Sequence, residues 1–337
     1  MKPKVSILIL HKNGETIINN CLNSLSKTNY DNFNIHILLN GTTDNSEKII
    51  NKYKVKVYKG YKVMGFAEGC NLLIEKTKSK YIVLLNNDTE VDKDWLKELV
   101  EFSEKNKADI CQPKILDLKD KTKFENAGAA GGFIDKYGYP FCRGRIFGNI
   151  EYDTGQYDNN QRIFWACGSC MMIRRSLLEK IGLMDEDFYM YAEELDLCWR
   201  ANLIGGKIFN VYKSKVYHYG SYSIKREKLD SNKEYLIHRN SLIMFLKNYS
   251  SKTIKKLMFK RIMLELMSGL AFPKMIPAII NTFIYLINNR EYIEKKHNMV
   301  QNLRNNNDEY LQQLMLNKSI ALQSHLFGKK KFSELLK

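Results

Sequence analysis

A chain of 337 residues exceeds the usual size of one hydrophobic core, so two domains, or one domain with an extension, are expected. Hydrophobic residues make up 44% of it, the proportion of a soluble globular protein rather than a disordered one. The formal net charge of +16 is unevenly spread: from Ser221 onward 21 Lys and Arg stand against 9 Asp and Glu, so the tail carries +12 and the first 220 residues only +4. A basic tail meets nucleic acid, an anionic membrane or an acidic partner, or is simply solvated.

The chain opens with a strand, Val5–Leu10. From Glu15 to Ser26, Ile17, Ile18, Cys21, Leu22 and Leu25 follow helical spacing. Phe33–Leu39 is a second strand. Asp44-Asn-Ser-Glu opens a capped helix, and Val55–Tyr58 is a third strand. Gly65–Lys76 turns into a helix, and Tyr81–Leu85 is a fourth strand. This β-α-β-α order predicts an α/β fold with a mainly parallel, Rossmann-like sheet. His11-Lys-Asn-Gly-Glu follows the first strand where G-x-G-x-x-G would stand in a dinucleotide-binding dehydrogenase, which disfavours that class. Val5–Leu10 is also too short for a secretory apolar core. Seven cysteines, odd in number and irregularly spaced, argue for reduced thiols in a cytosolic compartment. Cys167 and Cys170 form the only C-x-x-C. Without a second pair, and in an apolar setting, they read as buried structural thiols rather than a zinc site.

Ile82-Val-Leu-Leu-Asn-Asn-Asp-Thr89 is the most informative segment. Four apolar residues form a strand buried on both faces, and Asn86, Asn87 and Asp88 emerge at its carboxyl end. Ligands of open α/β sheets sit at such ends, and clustered oxygens suit a hard cation and a diphosphate. A plain polar turn is the alternative. Asp109 to Asn160 is rich in Gly and aromatics and reads as loops and short antiparallel strands. Order returns at Phe164–Ile173, followed by a helix at Ser176–Ile181. From Ala192 to Ala201 the pattern is again helical, with Glu193, Asp196 and Arg200 sharing a face and Glu194 at the helix start. These carboxylates serve either the helix dipole, with Arg200 as ion-pair partner, or a general base beside a cleft. His218 follows a β-type run. It is either structural or the nitrogen ligand of a metal bound by Asp88.

In the tail, Tyr235–Asn248 is helical. Ile254–Leu270 alternates Lys255, Lys256, Lys260 and Arg261 with Leu257, Met258, Ile262, Met263, Leu266 and Met267, a basic amphipathic pattern. Pro273, Lys274 and Pro277 interrupt the apolar stretch Leu266–Ile287, which argues against a membrane-spanning helix. These helices lie on an anionic membrane surface, pack on the N-terminal part or form a dimer interface. Asn302–Asp308 is a polar break, Leu311–Leu322 a last helix, and Gly328-Lys-Lys-Lys331 a solvated turn. Aromatics are not interleaved with the basic residues as in a base-stacking groove, so no nucleic-acid partner is expected.

Seven segments, in order, resemble glycosyltransferase family 2, in particular its rhamnosyltransferase-like branch. Ser6-Ile-Leu-Ile-Leu-His-Lys-Asn-Gly14 is similar to the family's opening strand and turn, and Asn40-Gly-Thr-Thr-Asp44 to its nucleotide loop. Gly65-Phe-Ala-Glu-Gly-Cys-Asn71 resembles Gly-Phe-Ala-x-Gly-x-Asn, and Asn86-Asn-Asp-Thr89 the metal-binding Asp-x-Asp motif. Cys167-Gly-Ser with Ile173-Arg-Arg175 resembles the acceptor-side stretch. Glu193-Glu-Leu-Asp-Leu-Cys-Trp-Arg200 resembles the catalytic helix, and Val216-Tyr-His218 the late Val-x-His. The resemblance covers about residues 3 to 225.

It implies a GT-A domain over residues 1–225, followed by a basic amphipathic helical extension over 226–337. It also implies a metal-dependent, inverting transfer of a sugar from a UDP- or dTDP-linked nucleotide-sugar. The acceptor would be a hydroxyl of a saccharide, free or lipid-linked, in bacterial surface polysaccharide or glycoconjugate assembly. Asp88 and His218 would hold Mn²⁺ or Mg²⁺. Glu194 would be the base, with Glu193 its neighbour, and Asp196 and Arg200 would fix the helix and the site's electrostatics. His11, Asn13, Asn40, Gly65, Asn71, Asn86, Asn87 and Asp88 would bind the donor. Trp165, Gly168 and Arg200 would face the acceptor. The expected location is cytoplasmic, peripheral at the inner membrane face. Three positions depart from the family pattern. Leu39 stands where an Asp contacts the base, Asn86 where the metal motif has its first Asp, and Glu194 where the base is Asp. Leu39 and Glu194 also motivate an alternative, a non-catalytic nucleotide-sugar or glycan-binding scaffold.

Overall fold

A computed structural model describes residues 2–125, 127–220 and 233–335. The chain begins with β1 (Val5–His11), α1 (Glu15–Leu25), β2 (Phe33–Leu39), α2 (Ser46–Ile50), β3 (Lys56–Lys59), α3 (Phe66–Glu75) and β4 (Tyr81–Leu85). It continues through β5 (Thr89–Val91), α4 (Trp95–Asn106) and β6 (Ile110–Asp117). Four short strands follow, β7 (Gly132–Ile134), β8 (Pro140–Cys142), β9 (Arg145–Ile146) and β10 (Asn149–Ile150), and form a small antiparallel sheet of their own. Next come β11 (Gln161–Arg162), β12 (Cys170–Arg174), α5 (Arg175–Ile181), α6 (Glu193–Leu203) and β13 (Ile208–His218). The C-terminal helices are α7 (Lys233–Asn248), α8 (Ser251–Ala271), α9 (Ile276–Asn288), α10 (Arg290–Leu303), α11 (Asp308–Gln313), α12 (Ile320–His325) and α13 (Phe332–Leu335).

The main sheet has the order β11-β13-β6-β12-β4-β1-β2-β3, with β5 on β13. β3, β2, β1 and β4 pair in parallel, as do β6 and β13. β12 enters antiparallel between β4 and β6. β1 to β4, β6 and β13 therefore run one way, and their carboxyl ends meet at one edge. The amino end of β12 joins them there.

Alternate residues of a strand face opposite layers. Val5, Ile7 and Ile9 meet Ile18 and Leu22 of α1 and Trp95 and Leu99 of α4. Leu8, Leu38, Ile82 and Leu84 face the other layer, with α3, α5 and α6. Burial on both faces explains why β4 reads as an unbroken apolar run.

The same hydrophobic cluster takes in Ile243 and Phe245 of α7, Tyr249 just after it, Ile293 and Val300 of α10, and Leu311 of α11. The C-terminal helices complete the core rather than trail from it. The expected boundary near residue 225 lies outside the described residues.

Several expectations shift. The stretch after Asp109 contains β6, a central strand buried along nearly its whole length, as well as loops. Leu311–Leu322 is not one helix. It is divided into α11 and α12 because Leu316 donates its N–H to Ile134 O at 2.9 Å, and Asp135 accepts from Ile320 N at 2.9 Å. The inward stripe of α8 is Leu257, Arg261, Glu265 and Gly269; of the expected apolar positions only Leu257 is buried, while Met263, Leu266 and Met267 are exposed. No described helix is long and apolar enough to cross a membrane.

Candidate active site

A cleft of about 510 Å³ opens at the shared edge of carboxyl ends. β1 delivers His11, β2 Asn40, β4 the Asn86-Asn-Asp88 turn, and β13 His218. Gly168 and Ser169 lead into β12, and Glu193 and Glu194 open α6.

Register explains why Asp88 meets His218. β5 pairs antiparallel with β13 with Thr89 opposite His218, and Tyr219 N donates to Asp88 O at 2.9 Å. The turn before β5 is closed by Thr89, whose hydroxyl donates to Asn86 O at 2.7 Å. His218 Nε2 then lies 3.0 Å from Asp88 Oδ1 and 3.2 Å from Asn86 Nδ2. Its Nδ1 lies 3.3 Å from Glu125 Oε2, an ion-pair contact. Burial alone would lower the His218 pKa; the carboxylates of Asp88 and Glu125 outweigh it and hold the imidazolium up at about 10.

Two ligands of an octahedral ion at about 2.1 Å lie about 3 Å apart, so Asp88 Oδ1 and His218 Nε2 match one edge of such a shell, provided the ion displaces the proton that the metal-free imidazolium carries on Nε2. Glu125 on the far ring nitrogen is the kind of carboxylate that orients a ligating histidine. Among the described residues, no group of three or more His, Cys, Asp or Glu side chains is arranged to hold a metal. Oxygens of a bound diphosphate and water would complete the shell.

His11 differs from His218. Burial lowers its pKa to about 4, against a smaller upward pull from Asp44. The ring is therefore neutral, and Nδ1 accepts from the Asn87 amide at 2.9 Å. Nε2 is buried with no hydrogen-bond partner among the described residues. Lys12, Arg145 and Lys233 also line the cleft, with Asp88, Glu193 and Glu194.

Glu193 and Glu194 sit where the backbone is strained. Tyr189, Tyr191 and Ala192 have φ of 57°, 72° and 72°, the left-handed region that costs a non-glycine residue about 1–2 kcal/mol. Asn240 of α7 holds this segment from behind. Its amide donates to Phe188 O, Met190 O and Tyr191 O at 2.7–2.9 Å. Burial raises the pKa of Glu193, and the charge of Glu194 raises it further. Burial also raises Glu194, while backbone N–H groups at Glu194, Gly168 and Leu195 oppose it. Each glutamate has one buried oxygen, Oε2, with no hydrogen-bond partner among the described residues.

The remaining sequence candidates lie off the cleft wall. Asn13 accepts from Thr43 N at 2.9 Å, while Asp44 accepts from Gly14 N at 2.7 Å, which ties the first two loops together. Gly65 is required because a Cβ there would lie 2.5 Å from Tyr189 O. Asn71 is buried, bonded in both directions to the Met184 backbone and to Glu186. Trp165 donates to Phe133 O at 2.8 Å, and its ring covers Gly132. Arg200 pairs with Asp196 at 2.9 Å and donates to Ile181 O and Leu183 O. Asp196 is fully buried, with Lys247 at 3.0 Å and Asn248 at 2.8 Å as further partners. The cysteines are all buried and unpaired, and Cys167 borders the cleft. Glu125, Asn240 and the tyrosines at 189 and 191 carried no sequence signal of their own, because only the folded chain brings them to the site.

A family model described as glycosyl transferase family 2 matches residues 6–182. The low-salt glycan biosynthesis hexosyltransferase Agl10 of Haloferax volcanii is 29% identical over 141 residues, 41% of this chain and 43% of that protein. The rhamnosyltransferase WbbL of Escherichia coli K12 is 25% identical over 234 residues, 64% of this chain and 83% of the other. The match thus spans under half the length of Agl10 and most of WbbL. Among solved structures, the mannosyltransferase PcManGT from Pyrobaculum calidifontis, in complex with GDP-Man and Mn²⁺, superposes with a TM-score of 0.53. It is 11% identical, over 90% of this chain and 85% of that one, a likeness of fold alone. The fold is GT-A, with C-terminal helices added.

Proposed function

This chain belongs to glycosyl transferase family 2, and on that premise we propose that it moves a sugar from a nucleotide-sugar to a hydroxyl of a saccharide acceptor, with inversion at the anomeric carbon. The observation that carries this reading is that one cleft holds both an Asp88–His218 pair and two carboxylates with unpartnered oxygens. The donor is UDP- or dTDP-linked. The names of the relatives, a hexosyltransferase and a rhamnosyltransferase, support a hexosyl or deoxyhexosyl group. The acceptor is a saccharide, free or lipid-linked, of a surface polysaccharide or glycoconjugate. The chain would act in the cytoplasm, peripherally at the inner membrane face.

Asp88 and His218 would hold Mn²⁺ or Mg²⁺, which supplies positive charge against the leaving diphosphate. Lys12, Arg145 and Lys233 add to that charge. His11, neutral, keeps an Nε2–H to donate to the nucleotide, and the loop held by Asn40 forms the wall beside it. The acceptor oxygen attacks the anomeric carbon from the face opposite the diphosphate. Its bond to carbon forms as the carbon–diphosphate bond breaks, and its proton passes to Glu194. A carboxylate with a raised pKa is a stronger base for this purpose than a solvated one. Glu194 is favoured over Glu193 because it is the less buried of the two and lies beside Gly168, where a side chain would meet Phe66.

A thermal-shift screen of UDP-, dTDP- and GDP-sugars with and without Mn²⁺ tests the donor half, since a bound donor raises the Tm by mass action. Release of nucleoside diphosphate on adding saccharide tests the transfer half. A shift without turnover on any acceptor would favour the non-catalytic scaffold, and no shift with any donor would sink both.

A further inference from the structure

Helix α8 is inside out. Its buried stripe carries an ion pair, Arg261 to Glu265 at 2.8 Å, with both side chains almost wholly hidden. Arg261 also stacks 3.7 Å over the Tyr139 ring, and Glu265 meets His238. The outward face carries the hydrophobic residues instead. Phe259 is 73% exposed and Leu270 79%, with Met263, Leu266 and Met267 between them. Helix α9 repeats the pattern: it buries Ile279 and Thr282 but exposes Ile276, Ile280, Ile284 and Ile287, one stripe at helical spacing. An exposed apolar surface of this extent marks a contact site.

Charge selects the partner. Lys252, Lys255, Lys256, Lys260 and Lys274 are exposed on the same stretch. Between Ser251 and Asn288 the only carboxylate is Glu265, and it is buried. A two-fold contact with a second copy would set this patch against itself, bringing lysines together with no acid to receive them. An anionic bilayer satisfies both halves: headgroups take the lysines, and the acyl boundary takes the apolar stripe.

We propose that the outward face of α8 and α9 is a docking surface for an anionic lipid bilayer, lying in its plane. This deepens the functional reading, since a lipid-linked acceptor is met at such a surface, but it does not depend on catalysis.

The test is sedimentation of the full chain with vesicles. Wild type should pellet with phosphatidylglycerol-containing vesicles at low salt, and not with phosphatidylcholine alone. Leu270→Asp with Ile287→Asp should weaken binding about tenfold or more by removing two insertion points. Lys255→Ser with Lys256→Ser and Lys260→Ser should weaken binding at low salt and flatten its salt dependence, leaving the part due to Lys252 and Lys274. Both sets of variants should keep the wild-type Tm and any donor-induced shift, which separates lost docking from lost folding. Wild type remaining in the supernatant with phosphatidylglycerol vesicles at low salt overturns the proposal. So does a dimer in sedimentation velocity that the Asp pair dissociates, which would assign the face to a second copy. Vesicle binding with no donor-induced shift would leave this surface standing and remove the transferase reading.

Discussion

The two adjacent glutamates at the start of α6 meet different surroundings, and turnover should depend on one of them. Glu194 lies beside Gly168 and Cys167 at the cleft, while Glu193 is the more deeply buried. Glu194→Gln should lower turnover by about 10²-fold or more with little change in donor affinity, the usual worth of a positioned base. Steady-state kinetics on both Gln variants check it; a dead Glu193→Gln beside an active Glu194→Gln would reverse the assignment. Asp88→Ala removes the carboxylate nearest His218. Calorimetry should then detect no Mn²⁺-dependent binding of a nucleoside diphosphate, while the Tm without metal stays within a few degrees of wild type. Asp88 was legible as a polar group at the end of a buried strand, whereas the residues alone left Glu193 and Glu194 open between the helix dipole and a general base, and the base role came from the family resemblance. Glu125 was not legible. Its contact with His218 spans elements far apart in the chain, and nothing in Lys123-Phe-Glu-Asn126 marks it.

At the scale of elements, the strained segment before α6 is held by α7. The Asn240 amide shares its two hydrogens among three carbonyls of that segment, those of Phe188, Met190 and Tyr191. Asn240→Ala should release that segment and lower kcat by about tenfold to 10²-fold, because small displacements of a catalytic group are costly. Donor KM should move far less, and the split between the two constants is the measurement. Lys247 makes the other link, reaching Asp185 at 2.6 Å and Asp196 at 3.0 Å. Burial would raise both carboxyl groups, but Lys247, with Lys296 at Asp185 and Arg200 at Asp196, holds them below the usual Asp range. Lys247→Met should cost about 3–5 kcal/mol in denaturant unfolding, since it leaves buried charge uncompensated. A depressed folded pKa contributes stability that is present above the unfolded value of about 3.9 and is lost as pH falls below it. Wild type should therefore lose stability steeply on acidification below about pH 4, and Lys247→Met less steeply.

Across the whole molecule, the C-terminal helices share one core with the sheet, so they are part of the folding unit. Deleting the chain from Lys233 onward would expose Trp199, against whose ring Tyr249 now packs edge-on, and the rest of the shared core around it. Such a truncation should lose its cooperative thermal transition, as calorimetry would show. Sequence alone determined the alternating strands and helices, the edge where their polar ends gather, and most of the cleft's charged and amide groups. Those features follow from local periodicity and from residue types that a strand end or helix start imposes. Tertiary structure decided the rest. It placed Asn71, Trp165, Asp196 and Arg200 off the cleft wall, where their hydrogen bonds go to backbone and side chains of neighbouring elements. It also chose which face of α8 is hidden. Hydrophobic spacing names a stripe but not its direction, and here a buried Arg261–Glu265 pair, packed on Tyr139 and His238, draws the polar stripe inward and leaves the apolar one outside.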